Sequence, residues 1–294
     1  AAHPVLLNHA HGGGLPTYAP YASDLFLASQ ARCRGVDVAR IELVSKSDPL
    51  DPDLAAHLAA QYDGQYLFFG SVAESHALSP FEFRVAMCIR LGVYPRGNIA
   101  LPTRCECGHL LSDQFAFITH AFSGCQRFSN YTPTHRHTLV KSTIVTVLSR
   151  YGFLTTPEPP FYTYADGIRH RPDITVFSST YPTQRSMPPI STDLVISASD
   201  GKVGDAATAA ARIKTLHHTQ ATNALDHEFI PLSFEIHGHQ HEAVDTFYAK
   251  LASHLPNSEY SSFIRDMKSF VATALAKARV ATIIAFRPET RTFI

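Results

Sequence analysis

Four soft donors, Cys105, Cys107, His120 and Cys125, fall within 21 residues of this chain in the spacing C-x-C-x12-H-x4-C. Each thiolate or imidazole supplies one bond, and the short C-x-C turn delivers two together, so the set has the number and softness of donors for a tetrahedral Zn²⁺ shell. Four protein ligands leave no open position, which is the pattern of a structural rather than a catalytic zinc site. His109 is an alternative to His120 as fourth ligand. Buried free thiols would not require the polar CECGH turn or a His four residues before a Cys. The five cysteines are an odd count, and Cys33 and Cys88 stand alone and read as core. A reduced compartment with a local metal site fits that usage better than a disulfide framework.

The rest of the composition narrows the class. With 294 residues, 45% hydrophobic and 17% charged, the chain can bury a large core, which excludes a disordered tail. No apolar run approaches the ~18–20 residues of a membrane span. Lys+Arg and Asp+Glu are 25 each, so any nucleic-acid contact must come from local basic patches. Two such patches stand out. Between 131 and 172, Arg136, Lys141, Arg150, Arg169 and Arg171 face only Glu158 and Asp166; near the end, Lys277, Arg279, Arg287 and Arg291 face Glu289. The chain begins Ala-Ala-His, without Met or a charged leader, and is expected to be a fragment of a longer protein with no readable targeting signal.

Three stretches separate along the chain: 1–100, where loop signals alternate with short helical patterns; 101–130, the Cys/His cluster; and 131–294, a mixed α/β region. In the first, FEFRVAMCIRLGV places Phe81, Val85, Ile89 and Phe83, Met87, Leu91 at helical spacing. In the third, a helix is expected over about 137–151, then a Pro-rich loop (TTPEPPF), strands at 174–177 and 193–197, an Ala-rich helix over 204–220, a strand at 229–236, and helices over 241–254 and 258–280. That order suits a small sheet with helices on both faces.

Asp173 precedes the first of those strands, after Arg171 and Pro172, and Asp193 opens the next. Two carboxylates at the ends of adjacent antiparallel strands can hold a hard divalent cation such as Mg²⁺, which keeps waters and phosphate oxygens in its remaining positions. Lys214 follows on the Ala-rich helix and could orient an attacking water or neutralise developing charge. Glu158 is a further candidate carboxylate.

In this order the motifs resemble the C-terminal region of site-specific non-LTR retrotransposon (reverse transcriptase) proteins. There a zinc knuckle precedes a restriction-like endonuclease of the PD-(D/E)xK type. The likeness covers about 98–240: GNIALPTR before the knuckle, CEC and HAFSGC within it, the Arg136-His137 pair opening a helix, GF and EP with Glu158, RPDI with Asp173, DLVIS with Asp193, Lys214, and FIPLSFEIHG. The resemblance implies an α/β, restriction-endonuclease-like core, a small mixed sheet flanked by helices, over 131–294. A CCHC zinc knuckle at 101–130 would precede it, and a mainly helical linker following a reverse transcriptase would fill 1–100. It implies a Mg²⁺-dependent (or Mn²⁺-dependent) endodeoxyribonuclease working in the nucleus. Its catalytic residues would be Asp173, Asp193 and Lys214, with Glu158 as an extra magnesium ligand, and Arg136, His137, Arg169 and Arg171 would contact double-stranded target DNA. The nick would leave a 3′-hydroxyl to prime reverse transcription of the element RNA. Three features depart from the family: a long gap between Cys107 and His120, a long gap between Asp173 and Asp193, and Val195 where a Lys would stand. The catalytic lysine would therefore be a migrated one, Lys214 or, failing that, Lys202. A copy decayed into a nucleic-acid-binding module would keep the same fold.

Other motifs are set aside. His11-Gly12-Gly13-Gly14 matches the oxyanion-hole element of esterases, but no G-x-S-x-G elbow exists. His237, His239 and His241 alternate and on a strand could share a metal-binding face, but straddling Gly238 they read as an exposed turn, and His217-His218 and His135/His137 read mostly as polar surface.

Overall fold

The computed structural model describes residues 77–90, 104–105, 107–111, 114–123, 125, 132–159, 162–163, 169–179, 187–198 and 203–285. All belong to one unit, Leu50–Ile294. Cys33, the HGGG element, Lys202, Arg287 and Arg291 lie outside the described residues. Six helices occur among them: α1 (Pro80–Arg90), α2 (Gln114–Phe122), α3 (Thr132–Arg150), α4 (Asp205–Asn223), α5 (Glu242–Ala252) and α6 (Asn257–Ala285). The strands are β1 (Phe153–Pro157), β2 (Tyr162–Thr163), β3 (Arg169–His170), β4 (Ile174–Ser179), β5 (Ile190–Ser197) and β6 (Glu228–Glu235).

Local chemistry sets several of the boundaries. At the start of α1, Ser79 and Glu82 cap each other reciprocally: Ser79 N donates to Glu82 Oε2 (2.7 Å) and Glu82 N to Ser79 Oγ (3.2 Å). Pro80 occupies the first helical position, where no amide donor is needed. Val85 and Ile89 of the expected pattern are buried together with Ala86, whereas Phe81 and Phe83 are exposed. α3 begins five residues before the expected start and buries Val140, Ile144, Val147 and Leu148.

A four-stranded sheet in the order β1-β4-β5-β6 organises the α/β region. β1, β4 and β5 pair antiparallel, and β5 and β6 run parallel, with α4 as the crossover. β1 takes in the first three residues of the loop expected at TTPEPPF. As an edge strand it needs a ladder on one side only, and it tolerates Pro157 at its end and a register shift at Leu154/Thr155. β2 and β3 form a separate two-stranded ribbon.

Alternation along the strands divides the two faces. Ile190 and Leu194 of β5 and Ile230, Leu232 and Phe234 of β6 enter the main core with α3, α5 and α6, where Phe247, Tyr248, Phe263 and Phe270 are fully buried. Each such side chain contributes roughly 1.5–3 kcal/mol by burial. The other face carries smaller or polar residues, Asp193 on β5 and Ser233 and Glu235 on β6, and α4 covers it with Ala207 and Ala211. Close approach there is fixed by Ser233 Oγ donating to Ala207 O (2.7 Å) and by Gly204 N donating to Glu235 Oε1 (2.8 Å). Gly204 opens α4 at φ 90, and a Cβ at that position would stand 2.8 Å from His239 Nε2, so glycine is required.

A second core gathers α1, α2, Cys105, Leu111 and Cys125 against Ile236 and the end of α6 (Ala276, Val280, Ile283). Half-buried Ile196 packs against both cores.

Candidate functional site

Two sites emerge, one at the second core and one on the face of the sheet opposite the main core. The first is the Cys/His cluster. Gly108, at φ 91, turns the chain back after Cys107, so that Cys105 N donates to His109 O (2.9 Å) and Gly108 N to Cys105 O (2.8 Å). That reversal brings the two thiols of C-x-C together. Six residues of the long gap to His120, 114–119, are wound into α2, a rise of about 9 Å where an extended chain would cover far more. Cys105, Cys107, His120 and Cys125 then offer ligand atoms that all lie within 4.8 Å of one another.

This group could hold a metal ion. Cys105 Sγ is 3.6 Å from Cys125 Sγ, and Cys107 Sγ is 3.2 Å from His120 Nε2. Thiolates on a tetrahedral zinc, with bonds of about 2.3 Å, stand about 3.8 Å apart, so little movement is needed. Burial, then the neighbouring thiols of Cys107 and Cys125, push the Cys105 thiol up to about 11, against a lowering backbone hydrogen bond. A backbone hydrogen bond at His109 lowers the Cys107 thiol. Burial, and then His109, lower the His120 imidazole, which favours the neutral form that ligates. His109 does not complete the set: its ring stacks on His120 at 4.2 Å between centroids and 2° between planes.

The second site lies on the α4 face of the sheet. Ile174 pairs with Thr192, and Asp173 N donates to Thr192 O (2.8 Å), so the antiparallel register sets Asp173 opposite Asp193. Asp193 does not open its strand, as expected, but is the fourth residue of β5. The strand starts at Ile190 because Ser191 and Thr192 satisfy their hydroxyls inside the sheet.

Each carboxylate is held through one oxygen. Asp173 Oδ2 accepts from Leu194 N (2.7 Å) and bonds His137 Nε2 (2.8 Å). Asp193 Oδ2 accepts from Lys214 Nζ (2.9 Å) and pairs with His218 Nε2 (2.6 Å). Among the described residues no donor within hydrogen-bond distance reaches either Oδ1; Lys141 Nζ is 4.0 Å from Asp173 Oδ1. Burial pushes the Asp193 carboxyl up, but the His218 hydrogen bond and the Lys214 charge and hydrogen bond outweigh it and hold the group well below the usual carboxylate range.

The remaining candidates scatter. Glu158, at φ 48, donates its backbone N to Asp173 O (2.8 Å), but its exposed carboxylate pairs with Lys141 and Arg171 and does not join the two aspartates. The Cys/His set is the one group of three or more clustered metal-ligand residues among the described residues. Arg136 is not at the surface: 5% exposed, it donates from Nη1 to Phe122 O (3.4 Å), the carbonyl that ends α2. Arg279 is buried too, donating to His237 O (3.4 Å), so it is no part of a basic surface. Arg171 is exposed, and the side chain of Arg169 lies outside the described residues.

Two expectations about histidines are corrected. His237 is buried, with its ring edge-on to Phe122 at 5.6 Å, and His241 caps α5 by accepting from Ala243 N (3.2 Å), so this segment is not an exposed turn. His218 is 3% exposed rather than polar surface. It was missed because its neighbour His217 is exposed and the pair reads as one polar dipeptide. The available signal was its place four residues after Lys214 and seven after the buried Ala211.

Compared with known proteins, the chain matches no family model and no curated protein.

Proposed function

We propose that this chain is the zinc-knuckle and restriction-like endonuclease region of a non-LTR retrotransposon protein, a Mg²⁺- or Mn²⁺-dependent DNA endonuclease. The observation that carries it is the meeting of Asp173 and Asp193 across antiparallel β4 and β5, with Lys214 brought onto Asp193 from α4. A mixed four-stranded sheet flanked by helices is the core that the motif order implies. Carboxylates facing each other across a ladder repel unless they share a proton or a cation, and the bonds to both Oδ2 atoms leave the Oδ1 atoms available.

A divalent cation held there supplies Lewis-acid stabilisation of charge on a scissile phosphate. The protein's own groups do the rest. Lys214 Nζ, part-exposed beside Asp193, orients a water for in-line attack and offsets negative charge at phosphorus. His137 and Leu194 N fix Asp173. Arg171 binds the backbone of double-stranded DNA, and zinc held by Cys105, Cys107, His120 and Cys125 rigidifies the knuckle against it. The departing 3′-hydroxyl primes reverse transcription of the element RNA, which places the protein in the nucleus. The test is nicking of supercoiled plasmid with Mg²⁺ or Mn²⁺: the parent nicks, and Asp173→Ala and Asp193→Ala do not.

One observation favours a second reading, a nucleic-acid-binding module without catalysis. Each acid already has basic partners, His137 with Lys141 and Lys214 with His218, so the site is charge-compensated with no cation. Such a module shifts DNA at low salt, nicks nothing under either metal, and tolerates Asp173→Asn.

A further inference from the structure

We infer that His218 is a positioning residue for the cation site: it locks Asp193 Oδ2 so that Oδ1 is the oxygen presented to the cation and to Asp173. This rests on the nuclease reading and adds to it a residue that no motif marks.

The geometry separates His218 from its companion. Lys214 and His218 lie one turn apart on α4 and converge on the same oxygen, at 2.9 Å and 2.6 Å. The Lys214 side chain is 30% exposed, on a flexible stem that can swing away when a cation or phosphate arrives. His218 is 3% exposed, and its ring stacks on Phe229 of β6 at 5.0 Å between centroids and 21° between planes. Thr222 Oγ1 donates to the His218 carbonyl (2.9 Å), which ties that turn of α4. The imidazole is therefore a rigid peg where the ammonium is a mobile one. Asp173 is treated alike, with both of its donors on Oδ2. A carboxylate fixed through one oxygen ligates through the other, and hydrogen-bond partners that orient ligands typically change metal affinity or activity by about 10–100-fold when removed.

Two variants divide the hydrogen bond from the packing. His218→Phe keeps an aromatic ring against Phe229 and removes the N–H; His218→Gln keeps an N–H donor at comparable reach. The expected result is that the Mn²⁺ concentration giving half-maximal plasmid nicking rises about tenfold or more in His218→Phe. It stays near the parental value in His218→Gln, with turnover at saturating Mn²⁺ largely recovered in both. Unchanged half-saturation in His218→Phe overturns the inference while leaving the nuclease reading intact. Absence of both nicking and Mn²⁺ binding in the parent overturns both. Should the variants fail to fold, the parent answers: the ¹⁵N-edited imidazole signal of His218 shifts with the same Mg²⁺ midpoint as nicking, and a signal that saturating Mg²⁺ leaves unmoved overturns the inference.

Discussion

Replacing Asp193 by Asn tests whether the acidic site is the tightly bonded constellation described above. The substitution keeps shape and removes the charge that holds Lys214 at 2.9 Å and His218 at 2.6 Å. Breaking a fully buried ion pair costs about 3–5 kcal/mol, because a charge is left without its partner. Asp193 is 10% exposed at the side chain but Lys214 is 30% exposed and can turn to water, which discounts the figure. Relief of repulsion with Asp173 discounts it again, leaving about 2 kcal/mol. For a chain of 294 residues that is a fall of about 3 °C in Tm, read by circular dichroism or calorimetry at pH 7 in a chelator that strips Mg²⁺. The pH dependence carries a sign. The native carboxyl lies below its unfolded value of about 3.9, so its contribution is complete above about pH 5 and is lost as the pH falls through that value toward the native one. Parent and variant must therefore converge in acid. A Tm within about 1 °C of the parent at pH 7, or a difference that widens on acidification, refutes the bonding pattern assigned to Asp193.

Three further outcomes follow from individual contacts. Cys107→Ser and Cys125→Ser are expected to purify without zinc where the parent holds it, by elemental analysis, and to melt lower, because Cys105 and Cys125 line the second core and a structural metal contributes to folding outright. Arg171→Ala is expected to weaken DNA binding equally across unrelated sequences and to flatten the slope of log affinity against log salt by about one unit, measured by anisotropy between low and moderate salt. Tyr151→Phe removes the hydroxyl that donates to Asp266 Oδ2 at 2.9 Å in the interior and should cost about 1–2 kcal/mol in urea unfolding, without moving any zinc or Mn²⁺ dependence.

What the sequence made legible followed from how strongly one period or one spacing dominated. The Ala-rich stretch and the apolar run FIPLSFEI each obey a single pattern and became α4 and β6 within a few residues. The donor spacing of Cys105, Cys107, His120 and Cys125 depended only on turn and ligand chemistry, and the fold brings all four together. The start of TTPEPPF misled because three prolines within four residues read as loop, whereas an edge strand has one side with no ladder to lose and takes in Pro157. QFAFITHAF is apolar nearly throughout, so neither period stood out, and α2 emerges only with tertiary partners such as Ile236 and Val280. Arg136 and Arg279 were counted as surface charge because composition cannot tell a buried guanidinium that closes a helix end or a turn from one facing solvent.

The absence of a lysine two residues after Asp193 is less damaging to a nuclease site than the motif alone suggests. Side chains two apart on a strand share a face, so a lysine at Val195 would stand on the same side of β5 as Asp193, the side that α4 covers. A cation supplied from α4 reaches that face from above, and Lys214 Nζ arrives at the Asp193 carboxylate itself. The helix can do this because its sheet-facing stripe is built from Ala207 and Ala211, small enough to let it lie close. The next turns then present Lys214 and His218 to Asp193 in the middle of β5, opposite the start of β4. On the nuclease reading the charge has moved between two elements that cover one spot, and Val195→Lys in a Lys214→Met background is expected to restore metal-dependent nicking in part. If nicking survives Lys214→Met alone, Lys214 is not the group that positions the water, whatever its bond to Asp193.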